Sequence, residues 1–420
     1  MAKPPGGSAP LQVADAVARI LAAVRALGAV KRPLLDAFSS VLAADAVAPV
    51  TLPPWDNSAM DGYAVRAADL AGLPVTLRVI ESVAAGQFPT LPVGAGEATR
   101  IMTGAPVPEG SDTVVRVEDT DGGVARVEIR DARDAGKNVR PRGEDIMAGR
   151  VAIAAGTPLG AAQIGVLASL GFAEVEVVRA PRVAIVTSGD ELVELDRFDE
   201  VRAGKKIVSS NGYTLQTLVR AAGGEPVYLG IASDTPASLR ALLERARECD
   251  VIITSAGISV GEHDHMRGVL EEMGAEMKFW RVRMRPGAPI GFGLLDGKPW
   301  IGLPGNPVST MVTFELFARP AIHKMRGHSK LFRRPVPVVL DEPVAIGADL
   351  THFLRAVVTV RDGRSTARLT GPQSSGILTS MSTANALLVV PPDRRNVAAG
   401  ETLNAILIGD DAELSSDFAL

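Results

Sequence analysis

The chain has 420 residues, which at roughly 150 residues per domain suggests about three domains. It is 46% hydrophobic and 22% charged, with a net charge of −4 and a pI near 5.9, so nothing points to a general polyanion-binding surface. Aromatic residues make up only 4%, against a lectin-like or base-stacking surface, and a single cysteine, Cys249, rules out an internal disulfide framework or a cysteine metal site.

The opening MAKPPGGSAP has a lysine but no apolar core behind it, which reads as an unstructured start rather than a signal peptide. From Leu11, the apolar residues Val13, Val17, Ile20, Val24 and Leu27 recur at helical spacing, and a second short helix is expected over 34–42. Residues 49–66 then crowd Asp56, Asn57, Ser58 and Asp61 into a loop behind Pro53-Pro54. On its own that loop reads equally well as a tight turn or as a ligand site.

Residues 70–146 read as β-rich, with strands at 75–80, 113–117 and 124–129 separated by Gly, Pro and Asp clusters. Two loops stand out: RIMTGAPVPE (100–109), with a hydroxyl at Thr103, and NVRPRGED (138–145), with Arg140, Arg142, Glu144 and Asp145. Residues 151–173 carry no charge, but Gly156, Pro158, Gly160, Gln163, Gly165 and Gly171 make a poor membrane span. They read as a strand, then a helix with Thr157 as N-cap, Pro158 at its first position and Gly171 as its stop. A cytoplasmic protein without membrane or nucleic-acid partners is expected.

Residues 181–326 alternate strands and helices, the pattern of a parallel sheet. Strands at 183–187, 207–208, 227–231 and 251–255 each run into a polar loop: Ser188-Gly189-Asp190-Glu191, Ser209-Ser210-Asn211, Ser233-Asp234, and Ser255 onward to Asp264. In such a sheet the loops at the carboxyl ends share one edge and form the ligand site. Thr235 with Pro236 is a helix start, and a helix is expected from about Gly212. FWRVRMRP (279–286) alternates as a strand with Arg281, Arg283 and Arg285 on one face, of which Arg285 is the candidate for an oxyanion. IGLPGNPVS (301–309) ends a strand and starts a helix at Asn306-Pro307, a place suited to an anion. Beyond Lys330 short strands at 336–340, 353–360, 365–369, 387–390 and 402–408 indicate a small all-β domain. Glu262-His263-Asp264-His265 also permits a histidine metal site, although histidines in a polar turn are more often solvated.

Five motifs in order resemble the molybdopterin molybdenumtransferases, the MoeA family that includes the gephyrin E domain: PPWDNSAMDGYAVR (53–66), RIMTGAPVPEGSDTVVRVED (100–119), NVRPRGEDI (138–146), TSGDEL (187–192) with the 250–264 loop, and GLPGNPVS (302–309). The resemblance spans nearly the whole chain. It implies a multidomain α/β and β fold. An elongated N-terminal linker domain would take residues 11–50 plus 147–180, and an inserted β-rich domain 51–146. A molybdopterin-binding parallel α/β domain would take 181–327, and a C-terminal β-barrel-like domain 328–420.

The resemblance further implies a homodimer whose site lies between the α/β domain of one subunit and the inserted-domain loops of the other. The reaction would take adenylylated molybdopterin and molybdate, release AMP with Mg²⁺ as cofactor, and insert molybdenum to give the molybdenum cofactor. A molybdopterin adenylyltransferase and apo-molybdoenzymes or their chaperones would be partners. Carried over by motif, Asp61, Asp145, Glu191 and Asp264 would be catalytic, with Glu191, Asp234 and Asp264 at the metal. Thr103, Ser188, Gly189, Asp190, Asp234, Ser255, Gly257, Ser259, Gly261, Arg285, Pro304, Gly305, Asn306 and Pro307 would bind substrate. Two departures stand out. The family's PGKP turn is Pro286-Gly287-Ala288-Pro289 here, and Ala256 stands where glycine is usual. The first leaves open a tungstate-preferring variant or a non-catalytic pterin-binding scaffold on the same fold. The second is harmless only if φ at Ala256 is negative.

Overall fold

The computed structural model describes residues 9–257, 265–347, 349–361 and 363–409. They fall into two compact units: the described parts of Met1–Arg32, Ser39–Ala43 and Glu176–Leu420 in one, Pro33–Phe38 and Ala44–Val175 in the other.

The larger unit is built on a six-stranded sheet in the order Glu225–Ala232, Arg182–Ser188, Val251–Ser255, Lys298–Leu303, Gly291–Leu295 and Glu276–Phe279. The first four strands are parallel, and Gly291–Leu295 runs antiparallel to its neighbours on both sides. Both faces are covered, as a mostly parallel sheet requires. Val183, Ile185, Val251 and Ile253 pack in one core, with Leu215 and Val219 of the helix Ser210–Ala221. Ala184, Val186 and Ile252 pack in the other, with Leu239 and Leu243 of the helix Pro236–Ala246. The chain leaves Arg182–Ser188 toward one side, then crosses back to place Val251–Ser255 on the other. The two strands therefore flank a switch point, where the crevice of an open α/β sheet forms.

The C-terminal strands close into a five-stranded barrel: Thr351–Arg361, Arg364–Leu369, Pro335–Leu340, Thr402–Leu407 and Ala386–Val390, the last pairing back onto the first. Closure leaves no open edge among these five. Met284–Arg285 pairs in parallel with the start of the first barrel strand, Met284 opposite Thr351 and Arg285 opposite His352. The smaller unit holds a five-stranded sheet in the order Thr113–Arg116, Gly62–Val65, Glu97–Ile101, Val75–Val83 and Arg126–Ile129, over a core of Tyr63, Val65, Leu77, Val115, Val127 and Ile129.

The parallel α/β sheet, the β-rich sheet and the β-barrel match expectation, as does the helix start at Thr235, whose hydroxyl accepts from the Ser238 amide. Several local readings need correction. Where a helix is expected over 34–42, the chain follows the strand Ala29–Pro33 with only a single 3₁₀ turn, Leu35–Ala37, and the backbone turns left-handed at Ser39 (φ 62). The second helix begins at Ala161, not Pro158. Gly160 precedes it, and the Gln163 side chain accepts from the Gly160 amide; Thr157 is instead part of the turn after Val151–Ile153. Gly171 (φ 82) does end it. Ile207–Val208 is not in the main sheet and, among the described residues, pairs only with Leu192–Val193. The helix expected from Gly212 starts at Ser210. The stretch 279–286 is not one strand. It splits between the ends of Glu276–Phe279 and Met284–Arg285, so Arg281, Arg283 and Arg285 share no strand face. Alternation alone cannot show a chain leaving one sheet for another.

Candidate functional site

A cleft of about 710 Å³ opens at the carboxyl edge of the main sheet, lined by Ser188, Glu191, Asn211, Ser255, Ala256, Gly257 and 304–307 among others. Each strand end delivers its polar residue. Ser188 is 2% exposed, and its hydroxyl is buried with no hydrogen-bond partner among the described residues. The Ser255 hydroxyl accepts from Asn211 Nδ2 at 2.8 Å and donates to the Pro304 carbonyl at 3.2 Å. Asn211 Nδ2 also donates to the Gly305 carbonyl at 2.8 Å, while its Oδ1 is buried with no partner among the described residues. A buried polar atom without a partner is uncommon in a folded protein, and two on one cleft wall mark a place where a ligand supplies the missing bonds.

The acids stand at the same edge. Asp190 and Asp234 hold each other's loops: the Asp190 amide donates to Asp234 Oδ2 at 3.3 Å and the Asp234 amide to Asp190 Oδ1 at 3.1 Å. The Glu191 carboxylate folds over Gly189 (φ 147), where a Cβ would stand 2.7 Å from both its oxygens. Only glycine fits there, which accounts for Gly189. Gly257 is left-handed (φ 70), and so is Ala256, with φ 75. The negative φ that would make Ala256 harmless is absent. Its amide is held by the Leu303 carbonyl at 3.0 Å, and its methyl lies against Gly305, where a Cβ would come within 3.1 Å. Ser259, Gly261 and Asp264, and the possible ligand His263, lie outside the described residues.

Asn306 and Pro307 open the helix Pro307–Thr313 as expected. The Val308 amide, however, is already taken by the Ser375 carbonyl at 3.2 Å. Arg285 lies elsewhere, in a second cleft of about 690 Å³ that shares Pro289, Pro304 and Asn306 with the first. Ala288, Ser309, His352, Arg355 and Ser375 also line it. Arg355 is fully buried; its guanidinium donates to the carbonyls of Pro372, Gln373 and Ser374 and to the Ser380 hydroxyl, and burial pushes its pKa down. Arg355 is thus spent on the chain's own oxygens, and Arg285 is the other arginine in the lining of this cleft.

In the smaller unit three motifs meet. Asn57–Ser58 pairs with Val139–Arg140, and the Gly104 amide donates to the Ser58 carbonyl. Asp61 accepts from both the hydroxyl and the amide of Thr103, each at 2.7 Å, which lowers its pKa, the hydroxyl contributing most. Both line a pocket of about 440 Å³ with Arg116 and Arg133. Asp145 is apart from them in a different pocket of about 470 Å³, with Met147 and Arg150.

The sequence reading left Asn211 and Arg355 unassigned. Asn211 was visible as a strand-end residue; Arg355 sits inside a strand, where nothing local separates a core arginine from a site arginine. Among the described residues no three His, Cys, Asp or Glu side chains converge on a metal position, and no helix is long and apolar enough to cross a membrane.

Comparison with known proteins covers the chain in three parts. Residues 11–171 match the MoeA N-terminal region (domain I and II), 184–324 the probable molybdopterin binding domain, and 337–408 the MoeA C-terminal region (domain IV). Molybdopterin molybdenumtransferase 2 of Mycobacterium tuberculosis is 39% identical over 90% of this chain and 95% of its own length. The Staphylococcus aureus molybdopterin molybdenumtransferase is 32% identical over 96% and 97%. The solved structure of the molybdopterin biosynthesis MoeA protein from Pyrococcus horikoshii superposes with a TM-score of 0.83 at 29% identity, over 95% of this chain and 100% of that one.

Proposed function

Since the chain belongs to the MoeA family of molybdopterin molybdenumtransferases, we propose that it is an Mg²⁺-dependent transferase that inserts molybdenum from molybdate into adenylylated molybdopterin and releases AMP. The observation that carries this reading is the switch-point cleft, where unpaired polar atoms of Ser188 and Asn211 stand beside Glu191. A polar pterin with a phosphoanhydride needs such fixed donors and acceptors.

Magnesium is compatible with the carboxylates present: Glu191 lines the cleft, Asp190 and Asp234 hold each other's loops at the same sheet edge, and Mg²⁺ is usually held by one or two carboxylates plus substrate phosphates rather than by a complete protein cage. Glu191 and Asp234 would hold it, with Asp264 outside the described residues. The ion supplies charge neutralisation at the phosphoanhydride. The chain's own part is to fix the pterin through Ser188, Asn211, Ser255 and Gly257, and to shape the anion side through Pro304, Gly305, Asn306 and Pro307. The arginine-lined cleft adjoining through Pro289, Pro304 and Asn306 is the seat for the oxyanion, with Arg285 at its wall. Asp61, Thr103 and Asp145 complete the site from the second subunit of a homodimer. The same reading divides the chain into four domains, sets the protein in the cytoplasm, and makes an adenylyltransferase the supplier and apo-molybdoenzymes or their chaperones the recipients.

The test supplies purified protein with adenylylated molybdopterin, Mg²⁺ and either molybdate or tungstate, and follows AMP release and reconstitution of an apo-molybdoenzyme. AMP release that depends on Mg²⁺, with molybdate supporting reconstitution, is expected. No AMP with either anion would leave a pterin-binding scaffold as the reading.

A further inference from the structure

Between Ser188 and Asn211 the chain leaves the main sheet and comes back to the same cleft. Val193 anchors the excursion in the core, but much of its other apolar surface is exposed. Among the described residues its only strand pairing is the two-residue parallel ribbon of Leu192–Val193 with Ile207–Val208, and Leu195 and Ile207 are 54% and 55% exposed. Yet its two ends carry Glu191 and Asn211, both in the cleft wall.

Glu194 closes it. Its Oε1 accepts from the Tyr228 hydroxyl at 2.6 Å and its Oε2 from the Tyr213 hydroxyl at 3.0 Å. Tyr228 belongs to the strand Glu225–Ala232 and Tyr213 to the helix Ser210–Ala221. One carboxylate thus joins the excursion to both neighbouring elements. The Tyr228 ring reaches it across Gly212, where a Cβ would stand 2.9 Å from the phenolic oxygen. Burial first, and then Glu194, push the Tyr228 hydroxyl up to about 12, so it stays a donor across the physiological range. A second hook lies at the far end, where Lys206 Nζ donates to the Asp190 carbonyl.

We propose that Glu194, clamped between Tyr228 and Tyr213, is a positioning residue that fixes Glu191 and Asn211 in the cleft. The proposal rests on the transferase reading for its kinetic consequence but not for its structural one, and the two are tested separately. Hydrogen exchange of the resting protein reads the structural part. In Glu194→Ala the ribbon amides of Leu192, Ile207 and Ser209, bonded to the Gly189, Glu191 and Val193 carbonyls, should exchange faster, with the main sheet unchanged. Unchanged exchange there would overturn the clamp whether or not the protein is active.

Kinetics read the rest. Glu194→Ala should lower kcat by on the order of tenfold or more, with a melting temperature near wild type, because a reacting group displaced by about 1 Å loses that much. Glu194→Gln should recover most of it, since its amide oxygen still accepts one tyrosine and its nitrogen can face the other. Tyr228→Phe should fall between the two. An active wild type with unaltered kcat in Glu194→Ala would overturn the proposal, as would a loss matched by an equal loss of folded protein. An inactive wild type would count against the transferase reading alone.

Discussion

The Asn211 side-chain amide donates to the Ser255 hydroxyl across 2.8 Å, linking the start of one helix to the end of a central strand. With its second bond to the Gly305 carbonyl, it ties three separate chain segments together at the cleft floor. Replacing it with alanine removes two hydrogen bonds worth about 1 kcal/mol each. Asn211→Ala should therefore lose about 2 kcal/mol in urea unfolding. It should also bind molybdopterin on the order of tenfold more weakly in a fluorescence titration, since Oδ1 is lost with it. Unweakened binding would remove Asn211 from the site.

Ala256 is held at φ 75, a conformation that costs an L-residue roughly 1–2 kcal/mol. Glycine removes that cost but adds back about 0.4–1 kcal/mol of unfolded-state entropy. The first term is larger, so Ala256→Gly should raise stability by roughly 0.5–1 kcal/mol in chemical denaturation. A lower stability would mean that the methyl contact with Gly305 outweighs the strain.

The turn at 286–289 lines the arginine-bearing cleft but presents a methyl at Ala288. An ammonium there would add one charge-assisted hydrogen bond to an oxyanion, about 1.5 kcal/mol or more. Ala288→Lys should lower the molybdate concentration for half-maximal cofactor formation by on the order of tenfold. An unchanged oxyanion dependence would show that Arg285 and its neighbours already suffice.

The His323 and His328 rings lie tilted against each other with centroids 4.8 Å apart. Burial lowers their pKa values from 6.5 to about 3 and about 4, and the adjacent Arg319 and Arg326 add to the effect. The unfolded chain then binds more protons below pH 6.5, so stability is full above that value and falls as pH drops toward 4. The melting temperature should decline across that window, and the decline should be shallower in His323→Gln. An equally steep decline would shift the cause to other groups.

The alternating pattern of 181–326 made the parallel sheet and its polar edge legible, because strand length, helix period and caps agreed there. Thr235-Pro236 and Asn306-Pro307 start helices in the structure as they do in the pattern. Failures came where a segment's partner is remote. Ile207–Val208 looks like one more sheet strand, and only its pairing with Leu192–Val193 shows otherwise. FWRVRMRP keeps its alternation while passing from one sheet to another. Arg355 is unreadable locally, since its partners are carbonyls at 372–374, which no side-chain pattern encodes.

The pairing of Met284–Arg285 with Thr351–His352 bears on how this chain can be cut. A shortened protein ending after the helix Arg319–Met325 would keep every strand of the central sheet, but would lose Gly376 and Leu378 from the wall of the first cleft. It would lose the hydrogen-bonded neighbour of Arg285 and, with Arg355 and Ser375, the opposite wall of the second cleft. The barrel is therefore no detachable accessory. A free-standing sheet domain inherits the polar strand ends of the first cleft, and transplanting it alone leaves both clefts short of a wall.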